Sequence, residues 1–454
     1  MSEERQSHHM RRSLKNRHMQ MIALGTSIGT GLFYGSAPTI KLVGPGIILS
    51  YLLAGIFIFC VMRMLGEMSV HEPVSGSFSH FANKYWGHFA GYLSGWNYWI
   101  LYMMAGMAEL AAIAVYMNFW FPALPHWVTT LVCILVIATI NLVHVKAFGE
   151  VEFWSSFIKV AAIVVMILFG FWIIFTDMGS FPQNFHNLWD NGGFFPNGSV
   201  GFLMSLAVVL FSFGGVELIG IAAGETENPQ KTIPKAINEI LIRILIFYIG
   251  TMLVLMTLAP WDMVGMKGSP FVEIFNDIGI PAAANILNFV VLIAALSVFN
   301  SVLYSNSRML YGLAKNGNAP NIFASITVRG IPMVGIVFSS VVALAIVLLT
   351  YAYPKSGEVF MQLLGLVVGG LIISWGIIII THIKFRKHYI KAGTDKQLQF
   401  RSFLYPWLDY LCLLFLLGIV CVMYTMDSMR MSVYAMPIWV LFMYGMFKLK
   451  KKNR

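Results

Sequence analysis

Apolar stretches of roughly 20 residues, the length that a helix needs to cross the hydrocarbon of a bilayer, recur from one end of this chain to the other. Short polar connections separate them. The pattern predicts twelve spans, at 19–43, 45–65, 89–117, 126–145, 151–176, 200–222, 239–260, 283–306, 331–351, 357–382, 403–425 and 431–448. An all-α integral membrane protein is therefore expected.

The composition agrees with this pattern. The chain has 454 residues, of which 58% are hydrophobic and only 11% are charged, and its mean hydropathy is +0.74. A soluble core cannot enclose that much apolar surface, so a water-soluble globular protein is excluded.

Lys and Arg are distributed unevenly between the two sides of the predicted membrane. Of the 30, 25 lie on the side of the N-terminus, while the opposite side holds only Lys41, Lys267, Lys355 and Arg430. Cytoplasmic loops retain Lys and Arg preferentially, so both termini are predicted to be cytoplasmic. The net charge of +10 follows from this bias and suits anionic lipid headgroups, so nucleic-acid binding is not expected.

The cysteines and the N-terminus indicate neither a metal site nor secretion. The four cysteines all lie in predicted spans without C-x-x-C or metal-ligand spacing, so neither a disulfide framework nor a metal site is expected. The basic first 18 residues lead into a full-length span without a small-residue cleavage site. No signal peptide is therefore expected.

The first span contains the glycine-rich stretch "ALGTSIGTGLFYG", residues 23–35. Its G-x-S-x-G pattern lacks the preceding strand that a hydrolase nucleophile needs, and Tyr34 stands where a dinucleotide fingerprint requires glycine. Close helix packing is a stronger alternative. That much glycine nevertheless costs helix stability, about 1 kcal/mol each relative to alanine. An interrupted span is the better interpretation.

Irregular backbone at membrane depth persists only where it is buried in protein or lines a cavity. Freed N–H groups at the start of the second half-helix would point at an anion, and a substrate carboxylate fits. A second interruption is predicted in the sixth span, where Gly214 and Gly215 are adjacent and Glu217 follows. Paired breaks at the start of each half indicate an inverted-repeat transporter with its site near the midplane.

Three ionisable residues lie inside predicted spans, namely Glu109, Lys159 and Glu217. Such residues are functional candidates because charge at this depth is costly, and all three are candidates for proton coupling. Glu109 shares a helix face with Trp99, Tyr102 and Gly106, at offsets 0, 3, 7 and 10 from Trp99, and this face should look into the bundle; a packed core aromatic is the alternative role of Tyr102. A buried lysine loses its proton readily, so Lys159 is expected to couple transport to a proton, with snorkelling as its alternative.

Several stretches resemble the amino acid permeases of the amino acid-polyamine-organocation superfamily, of the bacterial proton-driven type, over nearly the whole chain. They are "LKNRHMQMIALGTSIGTGLF", "GEVEFW" before Lys159, and "FSFGGVELIGIAAGETENPQKTIPKAIN". "GSFSHFANKYWGHFAGYLSGWNYWILY", "LSVFNSVLYSNSRMLYGLAKNGNAP" and "YTMDSMRMSVY" are most similar to the aromatic amino acid permeases, general or phenylalanine-preferring. "FYGSA" and "FPALPHW" are more similar to proline- or histidine-type relatives.

The resemblance implies a five-plus-five inverted-repeat fold of the leucine transporter type, with discontinuous helices one and six. The repeats would be 19–176 and 200–382, followed by two further helices at 403–448 and flanked by cytoplasmic tails at 1–18 and 449–454. The substrate carboxylate would be held by N–H groups around Gly29, Thr30 and Gly31. The ammonium group would be held by carbonyls near Ser27, Phe211 and Gly214.

The resemblance also implies roles for side chains. Lys159 matches a lysine whose protonation cycle replaces a sodium ion, and Glu217 matches the carboxylate beside the broken sixth helix. Tyr102 falls where similar permeases adjust side-chain selectivity. The ring of the substrate is expected to lie against Tyr102, Phe211 and Phe213. Asn300 and Ser301 of the eighth span are expected to face the same region.

The expected function is import of phenylalanine, tyrosine or tryptophan by proton symport across the bacterial inner membrane. The expected partners are the amino acid, a proton and the lipid bilayer; the expected protein is a monomer, with no cofactor and no enzymatic activity. A permease for histidine, proline or another neutral amino acid is the alternative within the family. A channel, which would need a continuous polar pore, and a sensor, which would need a soluble output domain, are the alternatives outside it.

Overall fold

The computed structural model describes residues 28–74, 77–143, 145–176, 185–217, 220, 228–264, 269–277, 279–327, 330–353 and 356–452. Within these ranges the chain is helical and contains no β-strand. The α-helices are α1 (Thr30–Phe33), α2 (Ser36–Val43), α3 (Ile47–His71), α4 (Ser77–Phe81), α5 (His88–Asn118), α6 (His126–Val143), α7 (Val145–Thr176), α8 (Gly198–Val209), α9 (Pro229–Arg243), α10 (Thr251–Leu258), α11 (Pro270–Asp277), α12 (Pro281–Lys315), α13 (Met333–Ala343), α14 (Ala345–Ala352), α15 (Ser356–Lys391), α16 (Trp407–Thr425) and α17 (Asp427–Lys452).

The helices have the lengths and composition of membrane spans. In the described ranges nine helical stretches are long and apolar enough to cross a membrane, and His126–Leu142 and Gly198–Phe213 are shorter apolar helices. Their positions match the predicted spans from the second onward, whereas the beginning of the first predicted span lies outside the described residues. The prediction of an all-helical membrane protein is confirmed.

Burial divides these helices into an inner and an outer group. The most apolar stretches of α5 and α15 are 72% buried and that of α12 is 67% buried, whereas that of α17 is only 11% buried. Large apolar side chains cover the outer helices and are exposed, as at Phe175 and Leu441. Lipid tails are as apolar as these side chains, so the outer group forms the surface against the bilayer and the inner group positions the site.

A buried polar cluster ties α3, α15 and α16 together. Glu67 accepts hydrogen bonds from Arg386 Nη1 at 2.9 Å and from the backbone N–H of Ser402 at 2.7 Å. The His382 ring lies between two carboxylates, with Nε2 3.0 Å from Glu67 and Nδ1 2.5 Å from Asp409. All four side chains are buried. The sequence analysis does not identify this cluster.

Candidate functional site

The start of α1 follows a residue with extended backbone. Gly29 has φ −136° and ψ −159°, and the helix begins at Thr30. The backbone N–H of Thr30 donates to Oε1 of Glu109 on α5 over 3.4 Å. An N–H group in the first turn of a helix has no partner within the helix, and this one meets a buried carboxylate. Ser27, a predicted site residue, lies outside the described residues.

The helix of the sixth predicted span ends where the sequence predicts an interruption. After α8 the chain forms a 3-10 turn, Leu210–Phe213, and Gly214 then takes an extended conformation with ψ 133°. Gly215 has φ +105°, a conformation that side chains with a Cβ rarely adopt. The Tyr248 hydroxyl donates to the carbonyl of Ser212 at 3.1 Å, so this freed backbone carbonyl has a partner.

The two predicted interruptions are in direct contact, between α1 and the 3-10 turn. A Cβ added to Gly31 in α1 would lie 2.6 Å from the Cα of Ser212, so only glycine allows this approach without movement of the backbone. The Tyr51 hydroxyl lies 3.1 Å from Ser212 Oγ and attaches the same turn to α3. The close approach explains why the first span contains glycine at this position.

A cavity of about 50 Å³ lies between the interruptions. It has room for a few water molecules and is smaller than the roughly 300 Å³ of ordinary ligand pockets. The structure therefore shows a contracted site. It is lined by Gly29, Gly31, Leu101, Tyr102, Ala105, Glu109, Phe211, Ser212, Gly214, Gly215, Val298, Ser301, Val302 and Val367.

Seven of the thirteen predicted site residues line this cavity, namely Gly29, Gly31, Tyr102, Glu109, Phe211, Gly214 and Ser301. Tyr102 is nearly buried, and its ring lies 4.3 Å from that of Tyr98. Its hydroxyl has no hydrogen-bond partner of normal geometry among the described residues. Gly106, one turn further along α5, lets Val302 of α12 approach closely. Trp99 instead packs against α13, where its ring stacks on Phe338 at 5.4 Å.

Glu217 is a second buried carboxylate close to the site. It is fully buried and interacts electrostatically with the hydroxyls of Tyr98 and Tyr102. The Trp375 indole contacts it more loosely than a normal hydrogen bond, so within the described residues neither carboxylate oxygen has a well-formed partner. Glu217 does not line the cavity itself.

Lys159 lies in a buried network behind the cavity. Its Nζ donates to Ser297 Oγ on α12 at 3.0 Å, and Ser297 Oγ donates to Glu152 Oε1 at 2.8 Å. The ammonium group interacts electrostatically with both Glu152 and Glu109. The sequence analysis misses Glu152, although it lies seven residues before Lys159 and thus on the same helix face.

Two predicted site residues are placed elsewhere. Phe213 points away from the cavity, and its ring packs 5.0 Å from Tyr248, because two residues in a 3-10 turn separate it from Phe211 by well over a right angle. Asn300 accepts a hydrogen bond from Asn141 Nδ2 at 2.8 Å. Its neighbour Ser301 lines the cavity instead.

The cysteines and acidic residues give no sign of a metal centre in the part of the chain that the structure describes. No disulfide joins any two of the four cysteines, all of which lie in the described ranges. No group of three or more His, Cys, Asp or Glu side chains within the described ranges is arranged to hold a metal ion.

Comparison of the sequence with known proteins identifies related transporters. The family model described as "Amino acid permease" matches residues 18–454. The aromatic amino acid transport protein AroP of Escherichia coli (strain K12) is 50% identical over 441 residues, which cover 97% of this chain and 96% of that protein.

Two further relatives extend over the whole chain. AroP of Salmonella typhimurium (strain LT2) is 48% identical over 453 residues, covering 100% of this chain and 98% of its own. The uncharacterized amino acid permease YtnA of Bacillus subtilis (strain 168) is 43% identical over 455 residues, which cover 99% of this chain and 98% of that protein. The family consists of transporters, which agrees with the expected absence of enzymatic activity. This chain belongs to the amino acid permease family.

Proposed function

We propose that this permease imports aromatic amino acids by proton symport. The observation that carries the proposal is the cavity between α1 and the 3-10 turn Leu210–Phe213, where the buried carboxylate of Glu109 accepts a hydrogen bond from the backbone N–H of Thr30. The aromatic rings of Tyr102 and Phe211 line the same cavity. Relatives of about 50% identity bear the name of aromatic amino acid transport proteins.

The substrate's zwitterionic head provides the link between binding and protonation. Its carboxylate takes the N–H groups around Gly29, Thr30 and Gly31, and thereby displaces the carboxylate of Glu109. Two carboxylates this close in a buried site are stable only if one of them is protonated. Substrate binding therefore requires a proton at Glu109, with the Lys159 ammonium as the adjacent charge.

The remaining polar groups complete the site. The ammonium group of the substrate binds carbonyls at Ser27, Phe211 and Gly214, and the hydroxyl of Ser301 lies at the same cavity. The ring lies against Tyr102 and Phe211, which must withdraw because the cavity is contracted. Glu217, a further candidate for proton coupling, interacts electrostatically with the Tyr102 hydroxyl. Phe213 and Asn300 support the site from behind.

The same proposal covers the architecture and location. The chain forms twelve spans in the bacterial inner membrane, with repeats at 19–176 and 200–382, two additional spans at 403–448, and cytoplasmic tails at 1–18 and 449–454. It functions as a monomer. The repeats move around the fixed cavity to expose it to each side in turn.

Competition in proteoliposomes tests the function. Uptake of labelled phenylalanine is measured under an inward proton gradient, with an excess of each of the twenty amino acids as competitor. We expect saturable uptake that tyrosine and tryptophan inhibit and that an uncoupler stops. If phenylalanine is not taken up, the aromatic assignment is wrong, and histidine, proline and the small neutral amino acids become the substrates to test.

A further inference from the structure

The buried side chains around Lys159 extend along α7 toward its N-terminal end. Glu152, Ser156 and Lys159 lie at offsets of 0, 4 and 7 along α7 and therefore on one face of the helix. Glu152 lies seven residues after the start of α7, and Lys159 lies a further seven residues along it. Each step is about 10 Å along the axis. Glu152 is thus the member of the network closest to the N-terminal end of α7.

Ser297 forms hydrogen bonds with both charged groups. Its hydroxyl accepts from Lys159 Nζ at 3.0 Å and donates to Glu152 Oε1 at 2.8 Å. A hydroxyl can donate one proton while it accepts another. The three side chains are buried, so bulk water does not compete for the hydrogen bonds between them.

Glu152 has the capacity to receive a proton. Its Oε1 accepts from Ser297 and, over 3.5 Å, from Ser156, whereas its Oε2 has no hydrogen-bond partner among the described residues. An ionised carboxylate with so few donors is costly to bury. Protonation removes that cost at the moment when Lys159 loses its positive charge.

We propose that Glu152 is the group that takes the proton from Lys159, through Ser297, on its way from the cavity to the side on which α7 begins. In this step Lys159 loses an N–H proton to Ser297 Oγ, and the hydroxyl proton of Ser297 passes to the Glu152 carboxylate. The net change is from an ammonium and a carboxylate to an amine and a carboxylic acid, so charge and atoms balance.

The inference rests on the proposed proton symport and adds the exit route. Glu109 lines the cavity and interacts electrostatically with Lys159. The order of groups from the cavity outward is therefore Glu109, Lys159, Ser297 and Glu152. The side on which α7 begins is the cytoplasmic side in the proposed topology, which is where a symported proton must leave.

The test separates proton movement from substrate exchange in proteoliposomes. Proton-driven uptake of labelled substrate and substrate-induced proton influx, read by an entrapped pH dye, are compared with counterflow, which exchanges labelled for unlabelled substrate without net proton transfer. The variants are Ser297→Ala and Glu152→Gln. Ser297→Thr restores the hydroxyl.

Matched controls exist in the same helix. Thr176→Ala removes a hydroxyl near the far end of α7 that donates to the backbone carbonyl of Trp172 at 2.8 Å, and Glu150→Gln removes a half-buried carboxylate that lies on another face of α7. We expect the ratio of proton-driven uptake to counterflow to fall at least tenfold in Ser297→Ala and Glu152→Gln. The ratio should stay within twofold of the parent protein in Ser297→Thr and in both controls.

The outcomes distinguish this inference from the function on which it rests. A parent protein that exchanges substrate but shows no proton influx contradicts proton symport itself. A parent protein that couples normally, with Ser297→Ala coupling equally well, contradicts the relay alone. If Ser297→Ala and Glu152→Gln lose counterflow and proton-driven uptake in equal proportion, the network is structural and the relay is wrong.

Discussion

The ring of Tyr102 lines the cavity, and its hydroxyl has no hydrogen-bond partner of normal geometry among the described residues. An aromatic pair contributes about 0.5–1.5 kcal/mol beyond the burial of its area, which corresponds to a few-fold to roughly tenfold change in affinity. A residue in this position can therefore set the order of preference among substrates without being needed for transport.

We expect Tyr102→Leu to change the order in which phenylalanine, tyrosine and tryptophan compete for uptake, by up to about tenfold in relative affinity. Tyr92→Leu is the matched control, since Tyr92 is buried in the same helix but packs against Phe447 at 5.4 Å, away from the cavity. Competition assays with the three amino acids measure the effect. An unchanged order would locate the determinant of selectivity elsewhere.

Lys159 is the positive charge between the carboxylates of Glu109 and Glu152. Lys159→Ala leaves these buried carboxylates without their cation, so we expect accumulation against a gradient to be lost while the protein still inserts into the membrane. Uptake into energised vesicles and the amount of protein in the membrane fraction measure this. Lys235→Ala, which removes a largely exposed charge, is the control; normal uphill uptake by Lys159→Ala would exclude the lysine from coupling.

At the scale of elements, the contact between α1 and the 3-10 turn Leu210–Phe213 holds the two interruptions together. We expect Gly31→Ala to impair substrate binding at least tenfold, because its Cβ would lie 2.6 Å from a backbone atom of Ser212. Overpacking of this kind costs about 1–3 kcal/mol. The Michaelis constant for counterflow measures the loss of substrate binding, and the unfolding temperature in detergent measures the loss of stability.

Gly376 provides a glycine control in α15. A Cβ at Gly376 would meet no atom within 4 Å, and alanine improves helix propensity by about 1 kcal/mol. Gly376→Ala should therefore transport normally and unfold at the same or a higher temperature. Equal impairment of both variants would show that the effect of Gly31→Ala reflects glycine replacement in general rather than the contact.

The cluster around His382 joins helices that are distant in the sequence. Asp409 lies 2.5 Å from Nδ1 of His382 and is fully buried. Asp409→Asn removes one of the two carboxylates that face the ring, and breaking a buried charge pair costs roughly 3 kcal/mol. We expect a lower unfolding temperature in detergent, whereas Asp427→Asn, at a position with a 93% exposed side chain, should leave it unchanged. An unaltered unfolding temperature in Asp409→Asn would show that the cluster does not stabilise the fold.

At the scale of the whole molecule, hydropathy predicts the spans but not their full length. The spans predicted at 283–306 and 357–382 are parts of Pro281–Lys315 and Ser356–Lys391, because the polar turns beyond the hydrocarbon carry no apolar signal. Gly214 and Gly215 mark the end of the helix as the sequence predicts, because Gly215 has φ +105°, a conformation that residues with a Cβ rarely adopt. The sequence pattern does not predict the buried contacts of Glu152 and Glu67. Their partners, Ser297 and His382, lie on helices that are distant in the sequence, and only the packing brings them together.

The distribution of Lys and Arg predicts which side of the membrane each loop occupies, and labelling of single cysteines tests it. Lys41 and Lys396 are exposed and are predicted to lie on opposite sides. In a background without the native cysteines, a membrane-impermeant maleimide added to intact cells should label Lys41→Cys, whereas Lys396→Cys should react only after permeabilisation. Cytoplasmic loops retain positive residues because these are the harder to translocate. The reverse pattern would invert the topology, and with it the side to which the Glu152 route leads.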